Sequence, residues 1–290
     1  MDEASIYFDT HGPRFALAGR ESGVDSVVLF GVCFDGTTSY RPGARFGPDA
    51  LRAASMGLES YSPVQDRDVH TDIDLVDRGN LEVPAGDPAT MVDAVHLATR
   101  KILAHQAKPL LLGGEHGVSL GAIRATAELY TDLMVIQLDA HADLRDGFEG
   151  QPLSHASVMR RSLECIPRER LWQVGIRSGT RQEWRQLRQS DRLVDPRPEA
   201  IKRCIDESRG PIYVTLDLDI FDPSLVAGTG TPEPGGIDWS RFEALLAEIP
   251  DRRLVAADVV ELAPDYDPSG VSSVVAAKAV REIALKLGHG

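Results

Sequence analysis

None of the apolar runs in these 290 residues approaches the ~18 that a bilayer-crossing helix needs, so a membrane-spanning helix is not expected. Cysteine is scarce: Cys33, Cys165 and Cys204 are odd in number and far apart, which suits reduced, mostly structural thiols better than a disulfide framework. Aromatic residues make up only 6%, and positive charge is in deficit, with 31 Lys and Arg against 44 Asp and Glu and a formal net charge of -13. No basic stripe is left to track a phosphate backbone, so nucleic acid is a poor partner and a small cation the easier guest. The opening "MDEASIYFDTHGPRFALAGR" begins acidic and lacks a basic start followed by an apolar block. It does not read as a secretion signal, and the expected location is cytoplasmic. Internal repeats, low-complexity tracts and linkers are absent as well, which predicts one domain over residues 1–290.

What is present is a rhythm. Short apolar runs recur: "VVLFGV" from Val27, "PLLLGG" from Pro109, "LMVIQLD" from Leu133, "LWQVGI" from Leu171, "IYVTLDLD" from Ile212 and "RLVAADVVEL" from Arg253. They read as strands buried on both faces. Between them lie helix-like stretches such as "DPATMVDAVHLATRKILAH", "SLGAIRATAELY", "WSRFEALLAEI" and "SSVVAAKAVREIALKL". This alternation predicts βα crossovers and a mainly parallel sheet with helices on both sides. Two Gly/Pro-rich loops, "GTTSYRPGARFGPDA" from Gly36 and "AGTGTPEPGG" from Ala227, follow predicted strands. In open parallel sheets, loops beyond the carboxyl ends of strands form the ligand crevice.

The chemistry sits at those strand ends. Glu115 and His116 follow "PLLLGG"; Asp139, His141 and Asp143 follow "VIQL"; Asp217 and Asp219 lie in "VTLDLDIFDP"; Glu261 ends "VVEL". Residues at i and i+2 of a strand face one way, so each group can present its side chains together. A lone strand-end aspartate is ordinarily a cap or turn former. Four aspartates gathered at buried strand ends would repel one another unless cations neutralised them. One divalent ion is too little for two histidines and four aspartates, whereas a pair bridged by shared carboxylates fits. The oxygen-rich, thiolate-free donor set favours a hard octahedral ion such as Mn²⁺ over structural zinc. Two such ions roughly 3.5–4 Å apart can deprotonate a water and aim it at a poor electrophile, which is hydrolytic chemistry.

The motifs "GGEHG", "DAHAD", "SHASVMRR", "TLDLDIFDP" and "GTGTPEPGG" resemble the signatures of the ureohydrolases, the arginase–agmatinase family. "TTSYRPGARFGPDALRAAS", "VGIRSG" and "DVVELAPDYDPSG" look like the agmatinase branch, and the resemblance runs from about Val27 to the end of the chain. It implies a three-layer α/β/α fold with a mainly parallel sheet of about eight strands. It also implies one manganese on His116, Asp139, Asp143 and Asp217, and a second on Asp139, His141, Asp217 and Asp219, with Asp139 and Asp217 bridging. Glu261 matches the glutamate that pairs with the substrate guanidinium, a planar donor fork that a carboxylate can accept bidentately. His155 matches a proton-carrying histidine near the mouth of the site, and Asp143 would steer the proton of the attacking hydroxide. Glu115 and Gly117 depart from the more usual aspartate and serine of the first motif. His11, His70, His96, His105 and His289 match nothing and are expected at the surface or in the core.

The activity implied is hydrolysis of a guanidino compound to urea and an amine, with agmatine, giving putrescine, the first choice of substrate. Homotrimers or homohexamers are the assembly the resemblance implies. Rival substrates are arginine, guanidinobutyrate, guanidinopropionate and guanidine. A deacetylase of acetylated polyamines and a catalytically silent metal-binding homologue are the rival protein classes. Agmatine is preferred because Asp146 and Glu149 lie close behind "DAHAD" and would repel a substrate carboxylate; Arg145 is the counter-argument.

Overall fold

The computed structural model describes residues 7–19 and 23–289. Met1–Ile6, on which part of the reading of the opening segment rests, lie outside the described residues. The six apolar runs become strands β1 (Val27–Val32), β5 (Lys108–Gly113), β6 (Met134–Leu138), β7 (Leu171–Val174), β9 (Ile212–Asp217) and β10 (Leu254–Val260); the structure adds the short hairpin β2 (Tyr61–Ser62) and β3 (Arg67–Asp68), β4 (Leu75–Asn80) and β8 (Leu193–Val194). All but the hairpin join an 8-stranded sheet in the order β4-β1-β5-β10-β9-β6-β7-β8. Every neighbouring pair in it is parallel. The β1–β5 register runs unbroken from Val27 opposite Lys108 to Val32 opposite Gly113.

Helices cover both faces, because parallel strands must be joined by crossovers and such a sheet is stable only when neither face meets water. α1 (Gly47–Ser55), α2 (Val69–Asp72), α7 (Pro198–Glu207), α8 (Trp239–Ala247) and α9 (Val271–Gly288) pack on one face. There Leu51, Ile201, Phe242 and Ile283 meet Leu29, Leu110, Ile136, Val214 and Val259. On the other face lie α3 (Pro88–Ala104), α4 (Ser119–Leu129), α5 (Val158–Ser162) and α6 (Arg181–Ser190). Their Val92, Ile123, Met159 and Leu187 pack with Phe30, Leu111, Val135, Tyr213 and Val260. The period of two within each strand thus splits one apolar run between two cores.

Local signals set the helix ends. Asp87 accepts from the N–H groups of Ala89 and Thr90 ahead of Pro88, and Thr180 with Glu183 closes a reciprocal capping box on α6. Elements beyond the runs singled out from sequence have physical reasons for being overlooked. β4 carries Asp77 and Arg78 among its residues, β8 is two residues long, and α6 is almost wholly polar. The loop expected from Gly36 is shorter than its composition suggests: Gly47 and Pro48 open α1, proline being preorganised for a first helical turn.

Candidate active site

Four strands with chemistry at their tips, β5, β10, β9 and β6, are consecutive neighbours in the middle of the sheet. Being parallel, they all end on the same edge. The side chains do not converge by strand alternation as expected, however, because most lie past the strand ends. His116 opens a short 3₁₀ turn after β5, Asp139–Asp143 follow β6, and Asp219 sits in a turn after Asp217, the last residue of β9. Asp143 and Glu261 hold left-handed backbone conformations, φ 52 and φ 68, which non-glycine residues rarely adopt and which recur at functional sites.

The geometry brings all six expected ligands together. His116 Nδ1 lies 3.0 Å from Asp139 Oδ2, 3.1 Å from Asp143 Oδ2 and 3.2 Å from Asp217 Oδ2. His141 Nδ1 lies 2.8 Å from Asp219 Oδ2 and 3.8 Å from Asp139 Oδ1. Asp139 therefore turns one oxygen to each histidine, and two three-residue groups able to hold an ion share it. Asp217 joins the first group through Oδ2, while its Oδ1 accepts from the Asp219 N–H at 2.9 Å.

Buried partners orient these groups. His116 Nε2 is 2.8 Å from Thr215 Oγ1; the Thr215 hydroxyl donates to Asp258 at 2.6 Å, as does Tyr213. Gln137 donates to Asp139 Oδ2 at 2.7 Å and is itself held by Gln173 at 2.7 Å. Because Thr215 engages Nε2, Nδ1 of His116 is the nitrogen aimed into the cluster, where it is buried and makes no hydrogen bond of its own. A buried imidazole nitrogen without a partner, facing three carboxylate oxygens, is what a cation would complete. The hard-oxygen and imidazole set suits Mn²⁺-like divalent ions.

The electrostatics agree. Burial pushes the Asp139 carboxyl up to about 7, with the charges of Asp143 and Asp219 adding to it, and burial raises Asp217 well above the carboxylate range. Burial opposes charge on His141, but Asp219 and Asp139 outweigh it and carry the ring to about 11; the same pairing takes Asp219 to about 2 against its own burial. Such crowding is costly without positive charge among the oxygens. Glu261 is also pushed up, to about 8, chiefly by burial, although its Oε1 accepts from the His116 N–H at 2.7 Å.

A cavity of about 280 Å³ opens over the cluster, lined by His116, His141, Asp143, Asp217 and Glu261 on its floor and by His155 on its wall. His155 packs edge-on against Phe148, ring centroids 5.8 Å apart. Arg177 fastens the Gly/Pro-rich loop after β9 to the strand ends, donating to the carbonyls of Asp219 at 2.7 Å and Glu233 at 2.6 Å. The five other histidines lie away from this cavity.

One expectation is overturned. Asp146 does not face the cavity: its side chain is 83% exposed and pairs with Arg161, and Glu149 is exposed too. The turn after Asp143 sends both outward. Arg145 does line the cavity, its guanidinium 4.4 Å over the Phe148 ring and its Nε 3.8 Å from Glu183. Glu183 was not anticipated. Its T-x-x-E pattern with Thr180 marks a helix start, but nothing in the sequence says that this start abuts the cavity.

The comparisons agree with this picture. Residues 25–286 match the model of the Arginase family. An agmatinase of Halalkalibacterium halodurans is 38% identical over 94% of this chain and 96% of its own length. An N(1)-aminopropylagmatine ureohydrolase of Thermococcus kodakarensis is 38% identical over 85% of this chain and 86% of its own. The crystal structure of the agmatine ureohydrolase of Thermoplasma volcanium superposes with a TM-score of 0.83 at 31% identity, covering 94% of this chain and 93% of that one. With a matched family model over nearly its whole length, relatives at this identity and a shared three-layer fold, the chain belongs to the arginase family.

Proposed function

We propose that the chain is a ureohydrolase which holds two Mn²⁺ ions and cleaves agmatine to urea and putrescine, as a single-domain protomer of a cytoplasmic homotrimer or homohexamer. The observation that carries the reading is the convergence of His116, Asp139, His141, Asp143, Asp217 and Asp219 on two groups that share Asp139, with the Glu261 carboxylate beside them. When bound, a pair of such ions supplies a deprotonated water at neutral pH and offsets negative charge as the trigonal carbon becomes tetrahedral.

The protein's own residues do the rest. Glu261, held by the His116 N–H, pairs with the guanidinium and places its carbon over the cluster. Asp143 receives the proton released by the attacking water, and His155 delivers one to the departing amine. In the cavity lining, Arg145 is matched by Glu183 and by the Phe148 ring. It is therefore not a free guanidinium waiting for a carboxylate, and an uncharged or amine tail is accepted.

The test is urea release by Mn²⁺-loaded protein across agmatine, arginine, guanidinobutyrate, guanidinopropionate and guanidine. kcat/KM for agmatine should exceed that for arginine by at least about 100-fold, a discrimination of roughly 2.7 kcal/mol. Arg145 gives a specific reason to watch guanidinobutyrate. A preference for that acid would overturn the choice of agmatine while leaving guanidino hydrolysis standing, and no urea from any of the five would overturn both.

A further inference from the structure

Glu115 has no place in the ligand set, yet it is fully buried beside it and, among the described residues, makes no ion pair. Its carboxylate instead takes up the residues just beyond β1. Oε2 accepts from the Thr37 N–H at 2.8 Å, and Oε1 accepts from the Thr37 hydroxyl at 2.5 Å. Thr37 is also the residue that meets His155: its Oγ1 accepts from the His155 backbone N–H at 3.1 Å and lies 3.4 Å from the ring Nδ1. Gly117 leaves room for this arrangement, since a Cβ there would stand 3.0 Å from Glu115 Oε1 and 3.4 Å from His155 N.

A hydroxyl has one proton to give, and that of Thr37 goes to Glu115. Only lone pairs remain on Oγ1 for His155, so contact with Nδ1 is attractive only when Nδ1 carries hydrogen. The tautomer of a histidine is set by the hydrogen bond its other nitrogen makes. The long Nδ1 contact alone would fix little, but the 3.1 Å bond to the backbone of the same residue holds the ring against the same oxygen. Phe148, edge-on to the ring, restrains its other side.

We propose that Glu115 and Thr37 are positioning residues that keep His155 protonated on Nδ1, so that proton transfer in the cavity passes through Nε2. The inference rests on His155 being the proton carrier. In the step so defined, the Nε2–H bond of the imidazolium breaks and an N–H bond forms on the leaving amine. The electron pair stays on Nε2, and solvent later returns the proton. Nδ1–H stays on Thr37 throughout.

The experiment compares Thr37→Val, Thr37→Ser and His155→Asn, and the double variant Thr37→Val/His155→Asn, as full-length Mn²⁺-loaded chains. Urea release from agmatine, metal content and melting temperature are measured for each. Thr37→Val should lower kcat about 10-fold with KM within about threefold and metal content unchanged, while Thr37→Ser, which keeps the hydroxyl, should stay within about twofold of the parent. In the His155→Asn background, Thr37→Val should cost nothing further, because residues that act as a unit are not additive. A loss as large in that background as in the parent, or a serine variant as impaired as the valine one, overturns the positioning role and leaves that of His155 intact. Full activity in His155→Asn removes the role of His155 and, with it, the reason for positioning it. If Thr37→Val fails to hold metal, Thr37→Ala takes its place with the same criteria.

Discussion

Replacing Glu261 with glutamine changes one atom of a carboxylate that sits in the cavity at the edge of the aspartate cluster. The fold should not notice. The amide that replaces the carboxylate keeps an oxygen to accept the His116 N–H, now made at 2.7 Å, so the turn after β10 and the start of the His116 turn retain their link. The left-handed backbone at this position, φ 68, does not depend on the charge. What is lost, in the proposed role of Glu261, is the anion facing the guanidinium. At a separation of about 4 Å and an effective dielectric constant of about 20, a unit charge pair is worth roughly 4 kcal/mol. Part of it returns through the neutral hydrogen bond that the amide oxygen still makes, leaving roughly 3 kcal/mol, or about two decades of rate. The expectation is a fall in kcat/KM for agmatine of about 100-fold with metal content and melting temperature unchanged, read by urea release, elemental analysis and thermal unfolding. A variant within threefold of the parent refutes the pairing. Loss of metal in step with activity means that Glu261 supports the cluster and does not grip the substrate.

Asp139 gives an oxygen to both histidines, so Asp139→Ala should abolish binding of both ions, whereas His116→Ala should weaken chiefly one; titration calorimetry with Mn²⁺ checks this, and a single tight site in the parent would contradict the shared-ligand arrangement. Arg177→Ala removes the donors that tie the loop after β9 to Asp219 and Glu233, and should cost about 2–3 kcal/mol in denaturant unfolding; an unchanged midpoint would show that the loop is held otherwise. Asp222 and Asp267 are drawn down from 3.8 to about 2, first by the hydroxyls of Ser224 and Ser269 respectively. Depressed folded-state values mean stability that is present above about pH 4 and lost as pH falls toward 2. The double variant Asp222→Asn/Asp267→Asn should therefore melt below the parent at pH 5 and approach it by pH 2.5; a gap that does not narrow would refute this.

The amino-acid order determined more of this protein than is usual, for identifiable reasons. Strands buried on both faces announce themselves as continuous apolar runs, so Val27–Val32, Met134–Leu138 and Ile212–Asp217 were legible at once. A parallel sheet then puts every strand's carboxyl end on one edge. Acids and histidines at the ends of four such runs had to meet there, so the six proposed ligands and Glu261 could be named from their spacing, while His155 could be named only from the family resemblance. What the order could not determine is where a side chain just past a strand turns. A left-handed backbone at Asp143 sends Asp146 to solvent while Arg145 stays at the cavity, although nothing in "DLRDG" distinguishes their directions. Nor could it show that Glu183, a helix cap by pattern, borders the cavity, or that Thr37 reaches both Glu115, 78 residues away, and His155, 118 away. Periodicity and chain connectivity are local and survive in the one-dimensional order. The outward or inward turn of a loop, and the meeting of residues from separate crossovers, are settled only when the whole sheet is packed.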